Sequence, residues 1–204
     1  MDFSAPFRVV TPTLEGPVLR ALAGVDLPLT RSQIGNLAEG ASEAGIRKTL
    51  GRLVDQGIVL EERVGSRFTY RANREHLLWP SVEGLFTARQ ALSERITRVT
   101  QAWQIPPITV ELFGSVAQGS SDADSDIDLL IVRPALADDS TDLWEDQVAD
   151  LRDRIVLWTG NSCDVVALDP EELAAAVERN DPIVTSSMMT LSGSGLKLIH
   201  GRHA

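Results

Sequence analysis

The chain reads as two α+β modules joined by a helix, and three observations predict it. Residues 13–75 hold three closely spaced helical segments followed by a pair of short strands around Gly65-Ser66. Residues 108–132 hold two apolar, β-branched runs of strand length that bracket a Gly-Ser turn and an Asp-x-Asp. Between them, Pro106-Pro107 forces an extended connection and marks the boundary at Gln104 to Pro107. With 204 residues and 43% hydrophobic content the chain can fill one large core or two small ones. Charge favours two: residues 1–100 carry 13 Lys/Arg against 11 Asp/Glu, while 101–204 carry 6 against 18. The expected division is 1–76, a linking helix over 77–105, and 106–204.

The front elements follow from caps and periodicity. Leu14 to Ala23 has the apolar spacing of a first helix. Thr30-Arg31-Ser32-Gln33 has capping-box form, Thr30 capping and Gln33 reaching back, and opens a second helix through Leu37 and Ala38. Ser42 caps a third over Glu43 to Gln56, with Ile46, Leu50, Leu53 and Val54 on one face and Gly57 in the position of a C-terminal glycine cap. Ile58–Val64 and Phe68–Arg71 then form the strand pair. Pro80 starts a long amphipathic helix through Val82, Leu85, Phe86, Leu92, Ile96 and Val99 to near Trp103, suited to internal packing or a homodimer seam.

In the rear half, Ile108–Phe113 and Leu129–Val132 are strands, with Gly114-Ser115 and Asp126-Ile127-Asp128 between them. Strand alternation sends Asp126 and Asp128 to one side and Ile127 to the core. Two carboxylates held so close repel each other unless a cation lies between them, and hard oxygen ligands select Mg²⁺ or Mn²⁺. Gly114 lets backbone approach a phosphate, and the Ser115 hydroxyl and nearby amides can donate to it. Asp122 and Asp124 read as turn residues.

These residues resemble the DNA polymerase β-like nucleotidyltransferase superfamily, in particular its minimal nucleotidyltransferase branch. Ser115-Val116-Ala117-Gln118-Gly119 and Ser125-Asp126-Ile127-Asp128-Leu129 carry the likeness. Gln118 departs from it, since many members have Arg there. The resemblance implies a mixed sheet with helices on one side, ATP or another NTP as substrate, and a third carboxylate on a later strand. Asn161 to Leu168 offers Asp164 for that role, while Glu171–Val177 and Leu196–Ile199 match the closing helix and last strand. The implied site is therefore Asp126, Asp128 and Asp164 on the metal and in catalysis, with Gly114, Ser115 and Ser125 on the nucleotide. Minimal nucleotidyltransferases are often antitoxins that transfer AMP to a HEPN-type ribonuclease, which implies a protein acceptor.

Residues 13–75 resemble winged helix-turn-helix regulators of the ArsR and MarR groups, through the element order and Leu53-Val54-Asp55-Gln56-Gly57-Ile58-Val59. The resemblance implies binding to double-stranded operator DNA, usually as a dimer. Ser42, Arg47 and Lys48 would lie at base edges, with Arg52, Arg63, Arg67 and Arg71 on phosphates. Alternatives to a DNA-coupled transferase are a regulator whose rear domain only senses a nucleotide, and an antibiotic-modifying adenylyltransferase.

The remaining residues set limits. Cys163 is the only cysteine, so no intramolecular disulfide forms, and its apolar surroundings suit a buried side chain better than a nucleophile. No run reaches the length of a membrane span and no signal peptide is recognisable, so the expected location is the cytoplasm. His76, His200 and His203 lack zinc-site spacing. Trp79, Trp103, Trp144 and Trp158 do not alternate with basic residues and are expected in packing.

Overall fold

The computed structural model describes residues 1–38, 41–137, 140–185 and 189–193. The chain divides into two compact units, Ala5–Ala88 and Met1–Ser4 with Arg89–Ala204.

In the first unit, α1 (Glu15–Ala23), β1 (Leu29–Thr30), α2 (Arg31–Leu37) and α3 (Glu43–Asp55) precede the antiparallel pair β2 (Val59–Val64) and β3 (Arg67–Ala72). The caps are those the sequence calls for. Thr30 and Gln33 make a reciprocal capping box, Ser42 accepts from the Gly45 amide, and Gly57 takes φ +75° beyond α3. β1 was not expected: two residues are too few to show a period. It pairs with β3, giving an antiparallel sheet in the order β1-β3-β2. Val18, Leu22, Ile34, Ile46, Leu50, Val59, Tyr70 and Trp79 form the core beneath it.

The expected long helix from Pro80 to Trp103 is two helices, α4 (Trp79–Gly84) and α5 (Ala88–Gln101). Apolar spacing continues across the break, but its two halves serve different cores. Trp79, Val82 and Phe86 pack in the first unit, whereas Leu92 and Ile96 pack in the second. Gly84, a poor helix former, lies where the chain turns from one to the other.

The second unit continues with β4 (Thr109–Phe113), α6 (Gly114–Gln118), β5 (Ile127–Val132), α7 (Thr141–Thr159), β6 (Cys163–Leu168), α8 (Pro170–Glu178), α9 (Pro182–Thr185) and β7 (Met189–Gly193). Its sheet runs β6-β5-β4-β7, with β5 and β6 parallel and the other pairs antiparallel. Helices cover both faces, not one. Ile127, Leu129 and Ile131 cluster with Leu92 and Ile96 of α5 and with Leu151 and Ile155 of α7. Leu130 and Val132 cluster with Leu173 and Ala176 of α8 and with Val184. This double burial explains why β5 is apolar at nearly every position past Asp128. The crossover helix α7 joins the two parallel strands, a connection no hairpin can make. Leu196–Ile199 lies outside the described residues; among those described, β7 is the strand that flanks β4.

Candidate active site

The β5–β6 register sets Asp128 directly beside Asp164, while Phe113 is the partner of Asp128 on β4. Asp128, Leu130 and Val132 share a face, as do Asp164, Val166 and Leu168. That face is hydrocarbon beneath α8 and carboxylate at the N-terminal ends of the two strands. Asp126 stands just before β5, and its carboxylate accepts from the Ser162 hydroxyl just before β6.

Gly114 follows β4 with φ +69°. A Cβ built there would run into the Asp128 carboxylate, which would have to shift. Glycine is thus required twice, by its left-handed conformation and by the carboxylate lying against its backbone. Ser115 is half-buried in the first turn of α6. These observations bring Gly114, Ser115, Asp128 and Asp164 to one end of the sheet.

Burial raises the Asp128 pKa above its ordinary value, and the charges of Asp164 and then Asp126 raise it further. Both neighbouring carboxylates are exposed rather than set in hydrocarbon. Cys163, one residue from Asp164, is buried, and its thiol is pushed up to about 12, mainly by that burial. Such a thiol stays protonated and is no nucleophile at neutral pH.

The grouping is looser than the sequence suggests. Among the described residues no three His, Cys, Asp or Glu side chains gather closely enough to hold a metal ion. Asp126 bonds to the Ser162 hydroxyl, and Asp128 keeps the repulsion of Asp164 and Asp126. The donor chemistry nevertheless fits a hard divalent cation, since the set is all oxygen and Asp128 carries a repulsion that a cation would relieve.

Ser125 has local partners. Its hydroxyl donates to Asp122 Oδ1 at 2.8 Å and accepts from the Asp122 amide at 2.9 Å, so it builds the turn before the carboxylates. Asn161, which sequence reasoning passed over, has a positioning role. Buried, it donates through Nδ2 to the carbonyls of Ser125 at 2.8 Å and Ala123 at 3.3 Å, tying the Asp-bearing loop to the start of β6. Its signal in the sequence is the polar pair Asn161-Ser162 placed directly before an apolar strand.

The residues expected on DNA separate into groups. Arg47 and Lys48 are exposed on α3. Ser42 uses its hydroxyl as the helix cap, and Arg52, whose side chain is exposed, pairs with Glu15 at 2.8 Å. Arg67 and Arg71 share the outer face of the β2–β3 pair. Arg63 lies on the opposite face, the one that carries buried Val59, Tyr70 and Ala72 nearer the core, and donates to the Gly65 carbonyl at 3.3 Å.

Residues 92–178 match the family model of the nucleotidyltransferase domain, a span from within α5 to the end of α8 that includes every part of the carboxylate site. The mixed sheet with flanking helices agrees with that assignment. No curated protein matches. A chain from a crystal structure of a toxin-antitoxin with AMP-PNP is 20% identical, covering 50% of this chain and 73% of that one, with a TM-score of 0.37. Among the described residues no helix is long and apolar enough to cross a membrane.

Proposed function

We propose that the second unit transfers a nucleotidyl group, AMP from ATP in the reading favoured here, to a hydroxyl of a protein or other acceptor. The observation that carries this is the Asp128 carboxylate seated against Gly114 and beside Asp164, within a segment that matches the nucleotidyltransferase domain. Asp126, Asp128 and Asp164 would hold Mg²⁺ or Mn²⁺, which would offset the charge of the carboxylates and the triphosphate. Gly114 and Ser115 would face the phosphates. The acceptor oxygen attacks the α-phosphorus as pyrophosphate leaves, and Asp164, exposed at its strand end, takes the hydroxyl proton.

The first unit is proposed as a winged helix-turn-helix that binds duplex DNA through Arg47 and Lys48 on α3, with Arg67 and Arg71 as phosphate contacts. Its support is the element order and the exposure of those four side chains. Joined, the two activities suit a regulator of its own operon. An antitoxin acting on a HEPN-type ribonuclease is the specific form that the resemblance implies.

A second reading is a nucleotide sensor without transfer. The absence, among the described residues, of three ligands gathered around one point favours it. The two separate in one experiment: protein, Mg²⁺ and ATP labelled at the α-phosphate, with cell lysate as the source of acceptor. Transfer predicts a labelled protein product from the wild type and none from Asp126→Ala/Asp128→Ala. A sensor predicts ATP binding with no label in either.

A further inference from the structure

The register that sets Asp128 beside Asp164 continues one step outward, where the Ile127 amide donates to the Ser162 carbonyl at 2.9 Å. Ser162 therefore lies beside Asp126, as Asp164 lies beside Asp128. By strand alternation Asp126 and Asp128 share a face, and so do Ser162 and Asp164. The four side chains form a square with carboxylates at three corners and a hydroxyl at the fourth. That hydroxyl donates to Asp126 Oδ1. Ser162 and Asp126 are both exposed, so the bonded pair is open to solvent.

A hydroxyl within hydrogen-bonding reach of a carboxylate is a nucleophile beside its base. Neighbouring serines do not combine exposure with such a partner at the site. Ser121 is buried. Ser125 is bonded both ways to Asp122 and closed into its turn. Ser115 stands on α6, on the β4 side, where Gly114 meets Asp128. Strand order puts Ser162 on the other side: β4 leads into the Gly-Ser turn, β5 carries the central carboxylates, and β6 carries Asp164 with Ser162 just before it. Adjacent strands are about 4.8 Å apart, so a triphosphate held over the turn needs to cross only β5 to bring its α-phosphorus to the serine.

We propose that Ser162 is an acceptor within the chain itself, so that the second unit modifies its own serine; this rests on the transferase reading above and adds a substrate to it. The Ser162 Oγ attacks the α-phosphorus of ATP, the bond from that phosphorus to the bridging oxygen of pyrophosphate breaks, and the hydroxyl proton passes to Asp126. The products are AMP in phosphodiester linkage to Ser162, and pyrophosphate. Asp126 is the base for this acceptor because the hydroxyl already donates to it, whereas Asp164 serves an acceptor arriving from solvent. Its Oδ1 takes the proton, and Oδ2 remains for a divalent ion. Holding nucleophile and base in one molecule removes the entropy cost that an outside hydroxyl carries.

The test incubates the purified full chain with Mg²⁺ and ATP labelled at the α-phosphate, with and without cell lysate, and maps the adduct by peptide mass spectrometry. Label should appear on the chain without lysate, with release of pyrophosphate, and should map to Ser162. The fraction labelled per unit time should not change when the protein is diluted, because donor site and acceptor belong to one molecule. Ser162→Ala should abolish this label, and Ser162→Thr, which keeps a hydroxyl, should retain part of it. Label on a lysate protein but not on the chain overturns the proposal and leaves the transferase reading standing. No label on either overturns both. Label at another residue, label retained by Ser162→Ala, or a fractional rate that falls on dilution also overturns it, the last by assigning the reaction to two chains.

Discussion

A methyl group at position 114 would strike the Asp128 carboxylate, and that carboxylate is itself set against two others. At the scale of single residues, then, the site stores repulsion where it handles charge. A carboxyl whose pKa is higher folded than unfolded stabilises the fold in its protonated form. That contribution is complete below the unfolded value and is lost as pH rises through the folded one. Asp128→Asn, which cannot ionise, should therefore raise Tm at pH 7, and its advantage should shrink as pH falls below the ordinary carboxylate range. Melting curves across pH check this; an equal Tm at pH 7 would mean that neither burial nor the charges of Asp164 and Asp126 penalise the ionised Asp128. Turn, strand alternation and motif spacing are local and point to Gly114 and Asp128, whereas Asp164 enters the sequence reading only through the family resemblance. Sequence does not reveal that Ser125 and Ser42 use their hydroxyls in a turn and a cap, or that Arg52 pairs with Glu15, since those partners depend on tertiary placement.

Among the elements, α7 does the most to place β6 beside β5, and so Asp164 beside Asp128. Its core residues Trp144, Val148, Leu151 and Ile155 recur at helical spacing, a signal present in the sequence but diluted by seven charged residues within Thr141–Thr159. Leu151 is fully buried against the sheet. Leu151→Ala should destabilise the protein by about 2–5 kcal/mol through lost burial and an unfilled cavity, measured by urea unfolding. A cost below about 0.5 kcal/mol, typical of a surface site, would show that α7 does not pack as described. The caps made the front helices legible to within a residue or two. The α4–α5 break was not legible, because hydrophobic period records that a face is buried and not which core buries it.

For the molecule as a whole, the near-neutral front half and the strongly acidic rear half suit different partners. Binding of duplex DNA from the upstream region should fall steeply with salt, and Arg47→Ala/Lys48→Ala should weaken it about tenfold or more, as lost phosphate or base contacts do. Mobility shifts at several ionic strengths measure both; no shift at low salt would remove the DNA reading while leaving the transferase reading intact. The transferase reading rests on where a divalent ion goes. Crystals grown with Mn²⁺ and a non-hydrolysable ATP analogue, examined by anomalous diffraction, should show manganese between Asp126 and Asp128 within reach of Asp164, with the phosphates over Gly114 and Ser115. An anomalous peak remote from these carboxylates, or nucleotide bound elsewhere on the chain, would contradict it.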